Sequence, residues 1–472
     1  MKARNPRTGL EDYSFTETSR SELLEEAARL RAAQPLWEAL GPEGRGKVLN
    51  AFADKVEQNA AVIAQALAVD TGRTSISWVE VHAMVGNLRG WAARAPALFA
   101  ALPDDRRHSV TPGIEFEIRY TAYPLFGAIA PWNFPLILSH IDAVSALAAG
   151  CAALVKPSEI TPRFVEPMRA ILAELPELPL SFVMGGPDTG QALVEAVDYV
   201  CFTGSTATGR KVAEAAARAL IPANLELGGK DPMIICSSAD PVESAQIALR
   251  ASVAATGQAC QSIERIYVAS EIAEVFIDEL VKAAEAVELS TPDPASGHIG
   301  PFIFPPQAGK VAAQIADAIT KGARVLTGGE VEEHGGGTFL RPTVLVDVTQ
   351  DMAVMQDETF GPVIPVTVYD DLEEAIAMAN DTTYGLSAAV IAGSLEEAQA
   401  VGVRLDAGAI SLNDGSLTAM VGDAANQARK ASGLGPSRMG DQGMLRFLRE
   451  QALIRQTGAA ATIAAFAEWK PE

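Results

Sequence analysis

From about residue 127 onward the chain alternates short β-branched runs with longer stretches at helical spacing. That alternation restricts it to a parallel sheet with helices packed on its faces. Strands are expected at 127–130, 152–156, 180–184 and 199–202, with helices at 137–149, 163–175 and 190–196 between them. Gly150 is placed as a helix stop. The pattern describes a doubly wound, Rossmann-like unit, and the Ala-, Leu- and Glu-rich stretch 20–100 is expected to cover one face of it. After Gly228 the alternation restarts, with strands at 233–236, 265–269, 363–369 and 387–392 and helices near 241–255, 272–286, 306–321 and 394–404. A second α/β domain is therefore expected.

One segment fits neither unit. In 113–120 the residues Ile114, Phe116, Ile118 and Tyr120 alternate with Glu115, Glu117 and Arg119, which is the period of an amphipathic strand. It lacks an obvious partner nearby. An unpaired edge is a liability, so the strand belongs either to a hairpin or to an arm that pairs with another subunit.

Composition removes several function classes. The 472 residues are 48% hydrophobic, enough for two or three domains with a large core. Acidic residues outnumber basic ones, 59 to 37, for a formal charge of −22, and no basic stripe interrupts them. Nucleic acid is not an expected partner, and anionic membranes would be repelled. The longest apolar stretch, 141–155, contains Asp142 and falls short of the roughly 20 residues of a membrane span, so it reads as a buried helix and the strand after it. The N-terminus carries no apolar run of a secretory signal. Four cysteines without CxxC spacing indicate no metal site or disulfide framework, and a reducing, cytoplasmic setting is expected.

Four stretches carry chemistry. Cys260 stands in Gly257-Gln258-Ala259-Cys260-Gln261-Ser262 among small and polar residues, whereas Cys151, Cys201 and Cys236 lie among Ala, Val and Ile, as buried inert thiols do. It is a candidate nucleophile, with plain packing as the alternative. In Glu226-Leu227-Gly228-Gly229-Lys230 a carboxylate precedes a glycine pair, which suits either a base that can swing or a solvated turn. In Pro131-Trp132-Asn133-Phe134-Pro135 two prolines stiffen a loop, so that the Asn133 amide could serve a developing oxyanion or simply cap a strand. Gly204, Ser205 and Gly209 belong to Thr203-Gly204-Ser205-Thr206-Ala207-Thr208-Gly209, a strand-to-helix turn of the kind that offers N–H groups to a pyrophosphate. It is not GxGxxG, and many such turns bind nothing.

Taken in order along nearly the whole chain, these stretches resemble the aldehyde dehydrogenase superfamily. Lys156-Pro157-Ser158-Glu159, Phe202-Thr203-Gly204-Ser205, Glu358-Thr359-Phe360-Gly361-Pro362-Val363 and Asn413 belong to the same series. The resemblance implies Cys260 as nucleophile, Glu226 as base, and Asn133 with the Cys260 N–H as oxyanion hole. It implies Lys156 and Glu159 on the adenosine ribose, Glu358 on the nicotinamide ribose, Trp132 and Ser205 along the pyrophosphate and Phe360 near the nicotinamide. Core aromatics and a helix N-cap are the plainer readings of these last three. Because Glu159 accepts from ribose hydroxyls and repels a 2′-phosphate, NAD is expected, with NADP as the second candidate. The presence of Glu226 argues for hydrolysis by water over transfer to coenzyme A.

The resemblance also accounts for the odd strand. Segments near 108–123 and 449–457 are similar to the family's oligomerisation arms, implying a homodimer or tetramer. The resulting division is 1–107 with 124–227 as dinucleotide-binding domain, 228–430 as catalytic domain, and 108–123 with 431–472 as arm and C-terminal segment. The region from Asn413 to Ser432 departs from the family's pattern, as do Ser437-Arg438-Met439-Gly440 and the tail, so substrate choice does not carry over. By position the pocket candidates are Phe134, Leu138, Ile141 and Gln261, with Leu417 beyond them, and their apolar character suggests an aromatic or medium-chain aliphatic aldehyde. A carboxylate-bearing semialdehyde is the alternative. It would need an arginine, for which Arg438 is the candidate. A cofactor-independent thiol esterase would need a histidine partner for Cys260, and none of the five histidines stands in such a motif. A purely structural role would predict loss of the nucleophile or base, and both are present.

Overall fold

A computed structural model describes residues 1–103 and 105–468. It contains two large sheets. The first has six strands in the order Gly433–Leu434, Ala223–Glu226, Tyr199–Thr203, Leu125–Ile129, Ala152–Lys156, Leu180–Phe182. All neighbours are parallel except Gly433–Leu434, which closes one edge antiparallel to Ala223–Glu226. The second has seven, in the order Arg324–Thr327, Thr343–Val346, Val363–Tyr369, Ile263–Ala269, Asp231–Ile235, Ser387–Ile391, Ala409–Leu412, with only the Arg324–Thr327 edge antiparallel.

The inner strands are buried on both faces, as continuous apolar runs require. In the first sheet Ala153 and Val155 join one core cluster while Ala152 and Leu154 join another. In the second, Ile234 faces one way and Met233 and Ile235 the other. Gly150 ends the helix Pro135–Ala149 at φ 112°, in the left-handed region.

The structure corrects the sequence reading at several points. The helices of 20–100 cover both faces of the first sheet. Leu49, Phe52 and Met84 pack with Phe126 and Val155, but Leu23, Ala27 and Leu30 of the helix Arg20–Ala39 pack with Leu125 and Leu154 on the opposite side. The strand expected at 180–184 stops at Phe182, because Met184 leaves the ladder and exchanges hydrogen bonds with Thr18. The amphipathic strand Ile114–Ala122 finds its partner within the chain, pairing antiparallel along its length with Leu448–Gln456. Residues 433–447 do not belong with that arm: Gly433–Leu434 extends the first sheet, and Met444 and Phe447 are fully buried in its core. Among the described residues no helix is long and apolar enough to cross a membrane.

Sequential strands of the first sheet step outward in opposite directions from the pair Leu125–Ile129 and Tyr199–Thr203. A ligand crevice forms at such a switch point, beyond the carboxyl ends of the strands. The loops that leave those two ends are Pro131–Asn133 and Gly204–Ser205.

Candidate active site

A cavity of about 280 Å³ lies at the switch point, walled by Pro131, Trp132, Asn133, Thr203, Gly204, Ser205 and Glu226 from the first sheet and by Gly228, Cys260, Glu358 and Phe360 from the second. The second group sits just ahead of Asp231–Ile235, Ile263–Ala269 and Val363–Tyr369, so the carboxyl edge of one sheet faces the amino edge of the other. Leu138, Leu227, Phe304, Gln307 and Lys310 complete the lining.

Cys260 is delivered by a strained turn. Ala255, Thr256 and Gly257 are consecutive left-handed residues, with φ of 56°, 63° and 65°. The two non-glycine positions each cost about 1–2 kcal/mol. A side chain at Gly257 would collide with the Gly361 carbonyl. The turn is held by the Thr256 hydroxyl on Gly300 O at 3.0 Å and by both ends of the buried Gln258 amide, which donates to Pro301 O at 3.2 Å and accepts from Ile303 N at 2.9 Å. Gln258 is a positioning residue that sequence reasoning passed over.

The buried Asn133 amide donates to Gln258 O at 3.0 Å, which ties the loop of the first sheet to the cysteine turn and sets the plane of the amide. Arg73 donates to the Asn133 carbonyl from the other side. Burial pushes the Cys260 thiol up to about 12, and the carboxylates of Glu358, Asp231 and Glu226 add to the effect. The resting thiol is neutral and needs a base. It follows that iodoacetamide should alkylate Cys260 slowly at pH 7, with a rate rising about tenfold per pH unit up to pH 10. Peptide mass spectrometry would follow this, and a plateau below pH 9 would contradict it.

Glu226 ends its strand level with Thr203 on the neighbouring one. Its side chain makes no hydrogen bond among the described residues. Burial raises its carboxyl, and Arg438 is the main opposing influence. Arg438 is itself buried: it donates to Thr203 Oγ1 at 2.7 Å and pairs with Asp142, which also pairs with Arg446. As the candidate anchor for a substrate carboxylate, Arg438 is therefore already engaged behind Glu226.

On the opposite wall, Glu358 Oε1 accepts from Gly229 N at 3.1 Å. Burial and then Glu264 push its carboxyl up to about 8. The loop is held by a buried pair that sequence reasoning also passed over. Lys230 Nζ contacts Glu264 and the Thr359 hydroxyl, each at 2.8 Å, and Glu264 accepts from the N–H groups of Thr359 and Phe360. Phe360 meets Trp132 edge-on, with ring centres 5.4 Å apart, and Phe304 stands 6.0 Å from the same indole.

Other expected residues are placed elsewhere. Ser205 lines the cavity and also caps the 14-residue helix Thr206–Ala219 through Thr208 N. Gly209 lies inside that helix against Leu227, so its smallness serves packing and not the cavity. Lys156, almost fully buried, pairs with Glu159 at 3.2 Å at the end of the adjacent strand Ala152–Lys156. Of the pocket candidates only Leu138 lines this cavity. The Phe134 ring packs under Arg73 at 4.9 Å, Ile141 lies nearly a turn farther along the helix, and Gln261 turns into the next strand. Among the described residues no histidine lines the cavity. His140 is buried against Phe164 and Phe182.

Comparison with known proteins identifies the family. The model of the aldehyde dehydrogenase family matches residues 1–453. The chain is 37% identical over 432 residues, 90% of its length and 83% of the relative's, to a Mycolicibacterium smegmatis protein named "Putative succinate-semialdehyde dehydrogenase" and assigned NADP(+) in that name. It superposes on the structure of putative aldehyde dehydrogenase PutA from Anabaena variabilis with a TM-score of 0.94, at 47% identity and covering 98% of both chains. Betaine aldehyde dehydrogenase from Staphylococcus aureus in complex with NAD+ is similar at a TM-score of 0.91 and 28% identity, over 98% of this chain and 92% of that one.

Proposed function

Because the chain belongs to the aldehyde dehydrogenase family, we propose that it oxidises an apolar aldehyde, aromatic or medium-chain aliphatic, to the carboxylic acid with NAD, through a thioester on Cys260. The observation that carries this reading is the meeting of Cys260, Asn133 and Glu226 on one cavity at the switch point, facing Glu358 and Phe360.

The residues present suit a dinucleotide. A Cβ on Gly228 would fall 2.6 Å from Glu358 Oε2, so the glycine keeps that wall open. Gly204 and Ser205 stand at a helix N-terminus able to receive a pyrophosphate, and Lys156 with Glu159 forms a polar pair for ribose hydroxyls. When bound there, the dinucleotide supplies the hydride acceptor.

The remaining steps fall to the chain's own groups. Glu226 takes the thiol proton, and the Cys260 sulfur adds to the carbonyl carbon. The free N–H of the Asn133 amide and the Cys260 backbone N–H hold the oxygen as its charge builds, which matters more in the transition state than before it. Loss of hydride leaves a thioester. Glu226, having passed the thiol proton to solvent, then removes a proton from water; the water oxygen adds to the thioester carbon, the C–S bond breaks as the sulfur takes the proton held by Glu226, and the acid leaves with the Cys260 thiol restored. Arg438 opposes the upward shift that burial gives the Glu226 carboxyl.

Residues 1–107 with 124–227 serve as the dinucleotide-binding domain and 228–430 as the catalytic domain. The paired strands Ile114–Ala122 and Leu448–Gln456 form the arm of a homodimer or tetramer, a role supported by the exposed Ile454. The reduced thiols and acidic surface suit the cytoplasm.

For the substrate, the engagement of Arg438 by Asp142 and the apolar Leu138 support an apolar aldehyde. The names of relatives favour a second reading, a semialdehyde with a remote carboxylate, for which Lys310 is the cation lining the cavity among the described residues. NADH formation with benzaldehyde, hexanal and succinate semialdehyde separates the two. The apolar aldehydes are expected to exceed succinate semialdehyde in kcat/KM by about tenfold or more. The reverse order would establish the second reading.

A further inference from the structure

The N-terminal segment reaches the carboxyl end of the edge strand Leu180–Phe182 of the first sheet. Thr18 N donates to Met184 O at 2.7 Å and Met184 N to Thr18 Oγ1 at 2.9 Å. This zipper sets Glu17 at the start of the helix Pro187–Ala196, where its Oε1 accepts from Gly186 N and from the Thr189 hydroxyl, each at 3.1 Å. The start of a helix gathers unpaired N–H groups and the positive end of its dipole, which makes it a natural seat for phosphate. In this chain an internal carboxylate sits there. The two hydrogen bonds hold Glu17 below the usual carboxylate range, so it is charged at neutral pH.

Lys156 crosses the same turn: a Cβ on Gly190 would lie 3.7 Å from Lys156 Cδ. Lys156 is matched by Glu159, and Asp188 shares with Glu17 a surface cavity of about 550 Å³. The other nearby cations are the Met1 ammonium, bonded to Phe15 O at 2.8 Å, and Arg20, paired with Glu195 at 2.6 Å.

We propose that Glu17 is a specificity-determining residue that excludes a 2′-phosphate, its carboxylate already accepting from Gly186 N and the Thr189 hydroxyl at the start of Pro187–Ala196, the turn that Lys156 crosses. This rests on the reading of Lys156 and Glu159 as the holders of the adenosine ribose. A ribose diol is neutral and needs only the Lys156–Glu159 pair. A phosphate dianion there is repelled by the Glu17 carboxylate as well as by Glu159.

Calorimetric titration of the full chain with 2′,5′-ADP, with AMP as reference, tests this without turnover. Glu17→Gln is expected to tighten 2′,5′-ADP relative to AMP by about tenfold, and Glu17→Lys by more. Glu17→Asp should remain close to wild type. The exposed position of Glu17 makes misfolding no obstacle, and a thermal melt checks it. A 2′,5′-ADP to AMP ratio unchanged in both Glu17→Gln and Glu17→Lys overturns the proposal. The NAD reading is judged separately, from wild-type turnover with NAD against NADP, so the two can fail independently.

Discussion

Cys260→Ala is expected to abolish aldehyde oxidation, lowering kcat by a factor on the order of 10⁴ or more, because removal of a covalent nucleophile leaves only binding and oxyanion stabilisation. The reason lies in the construction of the turn. Two non-glycine residues are held in the left-handed region ahead of Cys260, and such strain persists only where the surroundings over-determine it. Gln258, anchored at both ends, is that surrounding. The fold does not depend on the sulfur, which makes no hydrogen bond among the described residues, so the variant should melt within a few degrees of wild type. Affinity for NAD, followed by calorimetry, should also survive. Cys151, Cys201 and Cys236 cannot substitute, since all three are buried away from the cavity. Loss of activity together with loss of NAD binding would point instead to a structural role for the residue.

Glu226→Gln is expected to lower steady-state kcat by about 10²–10⁴. The pH dependence has a definite sign. Burial raises the Glu226 carboxyl from its ordinary value, so the basic form gains population as pH rises, and wild-type kcat should climb on the acid side with an apparent pKa above that of an ordinary glutamate. The glutamine variant should lose that limb. If water activation is the step most affected, NADH should appear in a burst of one equivalent per active site and then nearly stop. A proportional loss of burst and steady state would place the main role of Glu226 in activating the thiol. Coupling through Arg438 and Asp142 makes the neighbourhood sensitive, so Glu226→Gln is preferable to a truncation that would leave Arg438 facing a void.

The parts legible in the sequence are those that depend on local pattern. Strands buried on both faces appear as unbroken apolar runs, which is why 152–156 and 363–369 could be placed almost to the residue. Cys260, Glu226 and Asn133 stood out through their neighbours and through family resemblance, and the fold brings all three to one cavity. What escaped depends on distant partners. The Lys230–Glu264 pair joins the residue just before one strand to a residue of its parallel neighbour and closes over the loop of Glu358, more than ninety positions away. Gln258 was read as part of a signature, although its burial and its two anchors make it the brace of the cysteine turn. A faint signal existed, since an amide two residues before a nucleophile in a chain of small residues invites the question of what it holds. Phe134 was placed in the pocket because it follows Asn133, but its ring is claimed by Arg73 from another helix. Arg438 could be named only as a candidate, because its partner Asp142 lies nearly three hundred residues earlier.

The thioester itself is the claim on which the proposed chemistry turns. Glu226→Gln protein mixed with NAD and hexanal at about pH 10, where a fraction of the Cys260 thiol ionises without a base, then quenched in acid and weighed intact, addresses it directly. An adduct equal to the aldehyde less two hydrogens, located on the Cys260 peptide and absent when NAD is omitted, is the expected result. Formation of NADH and acid with no adduct on Cys260, or with the adduct on another residue, would contradict it.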